Sequence, residues 1–119
     1  MSVAAFVLVA LVAAIHVYIL VLEMFLWQQP RTRAAFGTTE DFAAATRVMA
    51  ANQGLYNGFL AAGLVFGLIA DDPVGTAVTV FFLGCVAVAG LYGAATVSRR
   101  ILVIQTVPAV LALVAVALR

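Results

Sequence analysis

Charge is what this sequence has least of. Lys, Arg, Asp and Glu together make up 9% of its 119 residues, against about 25% in an average soluble domain. A water-exposed globular surface cannot be assembled from so few. Cysteine is nearly absent as well, and Cys85 alone excludes an internal disulfide. Histidine occurs once, at His16, with no second histidine and only a distant acid near it, so no metal-ligand set is expected. The formal charge of +1 is too small to point to nucleic acid. No Lys or Arg precedes the first apolar run, and that run is too long for the core of a cleaved signal, so the opening segment reads as a retained span. There is no internal repeat, low-complexity tract or sign of a second domain.

What is there instead is apolar: 66% of the residues. Four bilayer spans of roughly 20 residues each would take about 80 of them. The pattern predicts spans over residues 3–27, 42–70, 74–97 and 101–118, within a single domain covering 1–119. Gln28-Gln29-Pro30-Arg31-Thr32-Arg33 closes the first span. Thr38 or Thr39 is placed to cap the second helix, with Glu40 and Asp41 at its positive dipole end. Asp71-Asp72-Pro73 ends it, and Ser98-Arg99-Arg100 ends the third. The later connections are so short that consecutive helices must be antiparallel neighbours. The expected fold is all-α, an up-down four-helix transmembrane bundle.

Orientation follows from where the arginines fall. Arg31, Arg33, Arg47, Arg99 and Arg100 lie on one side, and only Arg119 joins Asp71 and Asp72 on the other. The arginine-rich connections are therefore expected in the cytoplasm, with both termini outside it.

A polar side chain in lipid needs a reason, since insertion of Asp, Lys or Arg at a helix centre costs roughly 2.5–3.5 kcal/mol. Glu23 lies one turn inside the cytoplasmic end of the first span. His16, seven residues earlier, shares its face within about 20 degrees but sits some 10 Å further along the axis. These two are the candidate acid–base residues. The second span carries Asn52, Gln53, Tyr56 and Asn57 within one arc of about 140 degrees, while Gly54, Gly58 and Ala61 form a small-residue packing stripe on the other side. Counting inward from the arginines puts Glu23, Asn52, Gln53, Tyr92, Thr96 and Gln105 at one level, with His16 and Asn57 deeper. Pro108 removes a helix hydrogen bond just beneath Gln105. The candidate binding residues are thus Asn52, Gln53, Tyr56, Asn57, Tyr92 and Gln105, with Arg47 on the rim for an anionic group. Each has a plainer role as well: Glu23 as a register-fixing acid, the amides as interhelical glue, Trp27, Phe25 and Phe36 as interfacial anchors.

The strings His16-Val17-Tyr18-Ile19, Leu22-Glu23-Met24-Phe25-Leu26-Trp27 and Ala51-Asn52-Gln53-Gly54-Leu55-Tyr56-Asn57-Gly58-Phe59-Leu60-Ala61 resemble the small bacterial membrane family called domain of unknown function 1304. That resemblance implies a four-span bacterial inner-membrane protein and supplies no activity. A second one is carried by Arg33-Ala34-Ala35-Phe36-Gly37 after the first span, then Arg47, Asn52 and Asn57 opening an apolar helix. It is similar in layout to the family of membrane-associated proteins in eicosanoid and glutathione metabolism. It implies four spans, a trimeric homo-oligomer and an anion site near Arg47 and Asn52. The Glu and second Arg of that family's glutathione motif are absent, with Tyr56 and Asn57 nearest the Glu position, and no cofactor is legible.

Three functions fit. The first is a membrane enzyme or binding protein for a lipophilic or amphipathic molecule, with Glu23 as acid or base, the amides orienting the ligand, and membrane lipid around it. The second is a proton-coupled small-molecule transporter, which needs access from both sides. The third is a structural or accessory subunit without catalysis, its polar residues serving assembly.

Overall fold

The computed structural model describes residues 1–118; Arg119, the one arginine assigned to the outer side, lies outside them. All regular structure among the described residues is helical: α1 Val3–Met24, α2 Pro30–Phe36, α3 Glu40–Ala45, α4 Arg47–Ile69, α5 Val74–Thr96, and a π-helical stretch, Leu102–Thr106, leading into α6 Val107–Ala117.

Local chemistry sets each boundary. α1 stops at Met24 rather than reaching Trp27: the Phe25 N–H still bonds the Val21 carbonyl at 3.0 Å, but the Leu26 N–H returns to that same carbonyl at 3.2 Å and the ladder goes no further. Gln29, ahead of Pro30, is extended (φ −68°, ψ 144°), as the residue before a proline prefers. Pro30 then opens α2, a short helix within what the sequence suggested was only a break. Gly37, at φ 69°, closes it by sending its N–H to the Arg33 carbonyl. Thr39 caps α3, its hydroxyl oxygen accepting from the Phe42 N–H at 3.1 Å. The predicted second span is interrupted at Thr46. Its hydroxyl donates back to the Phe42 carbonyl at 2.7 Å, a bond that bends helices, and α4 restarts at Arg47. Asp72 accepts from the Thr76 N–H at 3.0 Å and hydroxyl at 2.6 Å, starting α5. Pro108 cannot donate to the carbonyl four residues back, and the turn ahead of it widens: Val107 N–H reaches Leu102 instead.

The chain forms two compact units, and their boundaries fall within α1 and α4. One comprises Met1–Ile15 and the chain from Leu60 on. Its core joins Ala5, Val9, Val12 and Ala13 of α1 to Leu64, Leu83, Val86, Ala109, Ala112 and Val116. Glycines let its helices approach closely. A Cβ at Gly67 would collide with the hydroxyl of Thr79 and lie 2.9 Å from its backbone nitrogen; one at Gly90 would do the same at Thr106. Gly63 faces Phe82, and Gly93 faces Ile101. Partners thus descend on one helix as they rise on the next, which makes α4 and α5 antiparallel, and likewise α5 and the stretch from Ile101 to Thr106 that leads into α6.

The other unit, His16–Phe59, holds the second half of α1, α2, α3 and the first half of α4. Here Leu20 meets Gly58 and Met24 meets Gly54, again an antiparallel pairing.

Two helices, α1 and α5, are long and apolar enough to cross a membrane, with mean hydropathies of 2.8 and 2.2. Only 28% of each apolar window is buried, whereas the core helix of a soluble protein is mostly buried. α4 is as long as α5, but Asn52, Gln53 and Asn57 dilute its hydropathy.

Candidate functional site

The His16–Phe59 unit contains the main polar contact between helices. Glu23, one residue from the end of α1, and Asn57, midway along α4, are both buried, and Asn57 Nδ2 donates to Glu23 Oε1 at 2.7 Å. The second amide hydrogen bonds the Gln53 carbonyl at 3.2 Å. Both donors of Asn57 are therefore engaged, and its rotamer is fixed from two sides.

This pairing differs from the sequence-derived level, which set Glu23 beside Asn52 and put Asn57 deeper. The difference is five residues along α4, about 7.5 Å of helix rise. Its cause is the register chosen by the glycines. A Cβ at Gly54 would stand 2.6 Å from Met24 Cγ, 3.1 Å from Glu23 Cβ and 3.2 Å from the Leu20 carbonyl oxygen; one at Gly58 would stand 2.7 Å from Leu20 Cδ1. Close approach is possible only with these residues opposite each other. Asn57 thereby joins the face of Gly54 and Gly58, and α1 of the same chain packs on that small-residue stripe at these two glycines.

The remaining residues of the proposed arc stand elsewhere. Asn52, Gln53 and Tyr56 are exposed. Asn52 donates to the Val48 carbonyl at 2.9 Å, and Tyr56 rests its ring against Phe59 at 6.3 Å between centroids. His16 is completely buried. Tyr92 and Gln105 belong to the other unit. Tyr92 is exposed on α5, and its backbone carbonyl accepts from the Thr96 hydroxyl at 2.7 Å; Gln105 is half-buried in the π-helical stretch, its Cβ facing Gly90. Among the described residues no group of three or more His, Cys, Asp or Glu side chains could hold a metal ion.

A cleft of about 350 Å³ opens in the His16–Phe59 unit where α1 ends and α4 begins. Met24, Phe25, Trp27, Val48 and Ala51 supply its apolar lining, and Gln28, Gln29, Arg47 and Asn52 its polar one. Trp27 is held in place at this rim. Its indole N–H donates to Thr46 Oγ1 at 3.1 Å, and its ring meets Phe36 edge-on at 5.0 Å. The Arg47 guanidinium has no hydrogen bond or ion pair among the described residues. From sequence Trp27 read as an interfacial anchor and Gln28-Gln29 as a break, so this cleft was missed. A signal for part of it was available, since a proline opening and a glycine closing residues 30–37 mark a helix that would fold the chain back over its rim.

Known proteins add kinship without an activity. The family model described as "Protein of unknown function (DUF1304)" matches residues 10–117. The uncharacterized protein YpaA of Lactococcus lactis subsp. lactis (strain IL1403) is 30% identical over 116 residues, covering 96% of this chain and 97% of the relative. No solved structure matches the chain.

Proposed function

The chain belongs to the DUF1304 family of proteins of unknown function, and from that premise we propose that it is a four-span inner-membrane protein binding a small amphipathic molecule at the cytoplasmic ends of α1 and α4. Supporting a lipid environment is the apolar exterior: α1 and α5 leave most of their apolar windows uncovered, which water would not tolerate and acyl chains would. In this reading α4 and the segment from Leu102 to Ala117 are the other two spans, both termini lie outside the cytoplasm, and the assembly is a homo-oligomer, a trimer by the layout shared with the eicosanoid and glutathione family.

The single observation that carries the reading is the buried Glu23 held by Asn57, with the next residue, Met24, forming part of the cleft wall. An acid at membrane depth is costly to keep, and here its environment is fixed by a donor on the neighbouring helix. If turnover accompanies binding, Glu23 is the group placed to give or take a proton, with His16 further along the same helix. The test is Glu23→Gln, which keeps size and hydrogen bonding to Asn57 while removing the carboxyl. Small molecules co-purifying with the parent in mild detergent, identified by mass spectrometry, are expected to be lost from the variant. Equal retention by both proteins would remove Glu23 from the site.

A second reading has its own support. Asn57 spends both donors inside the chain, and Gly54 and Gly58 pack α1 closely, as an assembly clamp would. If the protein is a structural subunit, Asn57→Leu loses stability or partner association while Glu23→Gln changes neither ligand content nor assembly.

A further inference from the structure

The cleft below Trp27 combines a fixed aromatic wall, an apolar floor and one cation whose guanidinium has no partner among the described residues, and these specify a ligand. We infer that it receives the oxyanion head of a single-chain anionic amphiphile, with Arg47 as the anion-binding residue and Met24, Val48 and Ala51 against the first carbons of the tail. This rests on the membrane reading above and names the chemistry of its ligand.

Arg47 presents five N–H donors in a planar fork, a shape matched by a carboxylate or a similar oxyanion, and nothing among the described residues occupies that fork. The carboxamides of Gln28 and Gln29 at the same cleft carry no hydrogen bond among the described residues, and Asn52 spends one amide hydrogen on Val48, keeping its oxygen and second hydrogen. These groups hydrogen-bond a head without adding charge, so the site matches one negative charge and not two. The cleft's size, about 350 Å³, lies at the small end of ligand sites, roughly 300–1,000 Å³. It suits a head group and the start of one chain rather than a two-chain lipid. Trp27 cannot swing away to enlarge it, because Thr46 and Phe36 hold the indole.

Trp27 is the only tryptophan in the chain, so its fluorescence reports on the cleft alone. The experiment uses the full-length protein in a non-ionic maltoside detergent, titrated with 11-bromoundecanoic acid, whose bromine quenches a nearby indole. The matching bromo-alcohol, bromo-trimethylammonium compound and a phosphatidylglycerol with brominated chains serve as comparison probes. Saturable quenching by the acid is expected, with the alcohol and the ammonium compound at least tenfold weaker. Arg47→Gln should weaken the acid about tenfold or more, since it removes a charge-assisted hydrogen bond. Arg47→Lys should fall between, keeping charge and losing the fork. Ala51→Leu fills the floor and should weaken acid and alcohol alike. Equal quenching by all four probes would mean partitioning into the micelle and would overturn the proposal. Tighter quenching by the brominated phosphatidylglycerol than by the acid would overturn the single-chain assignment. Gly84→Ala, on α5 with open space around an added Cβ, is the control expected to leave the acid titration unchanged. Retention of the parent's co-purified molecules by Glu23→Gln removes Glu23 from the site, whereas the cleft stands or falls on the acid titrations of the parent and of Arg47→Gln.

Discussion

Asn57 and Glu23 show how one amide can settle an otherwise costly acid. Both donors of Asn57 are used, one on the carboxyl oxygen and one on its own helix, so removing the amide leaves Glu23 buried against hydrocarbon. Asn57→Leu is expected to cost about 1–2 kcal/mol, the upper range for an interhelical hydrogen bond in a membrane bundle. Glu23→Gln keeps an acceptor for Asn57 and should cost well under 1 kcal/mol. Unfolding in detergent, followed by the far-ultraviolet helix signal, separates the two, and equal losses would mean that volume rather than the bond is at stake. Both residues were visible in the sequence as polar groups in an apolar setting. Their pairing was not, because hydropathy gives each helix its faces but not the axial offset between helices. That offset is decided by which side chains fit over Gly54 and Gly58. Arg47 was legible as a rim cation, whereas the cleft it lines depends on Trp27, and a tryptophan near a span end has too many ordinary reasons to be there.

Among the helices, close approach rests on glycines. At Gly67 the obstacle to a side chain is the α5 backbone itself, with Thr79 N at 2.9 Å and Cα at 3.1 Å from an added Cβ. A flexible side chain can move aside there; a helix cannot. Gly67→Ala is therefore expected to destabilise by roughly 1–3 kcal/mol, the ordinary cost of overpacking. Gly84, also on α5, has nothing within 4 Å of an added Cβ, so Gly84→Ala should be neutral or slightly stabilising through its better helix propensity. A matched pair of thermal midpoints in detergent checks this, and a comparable loss in both variants would sink the close-approach account. The helix ends at Asp71-Asp72-Pro73 and Ser98-Arg99-Arg100 were readable because charge and proline cannot continue an apolar helix. The break at Thr46 was not, because it depends on a hydroxyl turning back to Phe42. The widened turn at Leu102–Thr106 lies between: Pro108 announced a lost hydrogen bond, though not that the turn would open to the next carbonyl.

For the molecule as a whole the decisive question is whether α4 crosses the bilayer, since its hydropathy alone does not place it beside α1 and α5. The four-span proposal needs it to cross, and its length suffices: 23 residues at about 1.5 Å each exceed the roughly 30 Å hydrocarbon core. Its packing fits that proposal as well. α4 runs antiparallel against α5 through Gly67 with Thr79 and Gly63 with Phe82, and only Ala70 to Pro73 connect them. If α5 spans as proposed, a helix laid along it from so short a turn runs back across. The polar residues that weaken its hydropathy are partly offset, since Asn57 is bonded to Glu23 within the chain. In a Cys85→Ser background, cysteines placed one at a time at Gln28, Asp71 and Ser98 give the test, with a membrane-impermeant maleimide applied to spheroplasts. Asp71→Cys should label from outside, while Gln28→Cys and Ser98→Cys should label only after lysis, as the arginine distribution requires. Were α4 to stop short of crossing, positions 28 and 71 would label from the same side, and the four-span reading would fall. Were all three to label with opposite sidedness, the spans would stand and the orientation would be reversed, moving the Arg47 cleft to the outer face and with it the pool of amphiphiles it could meet.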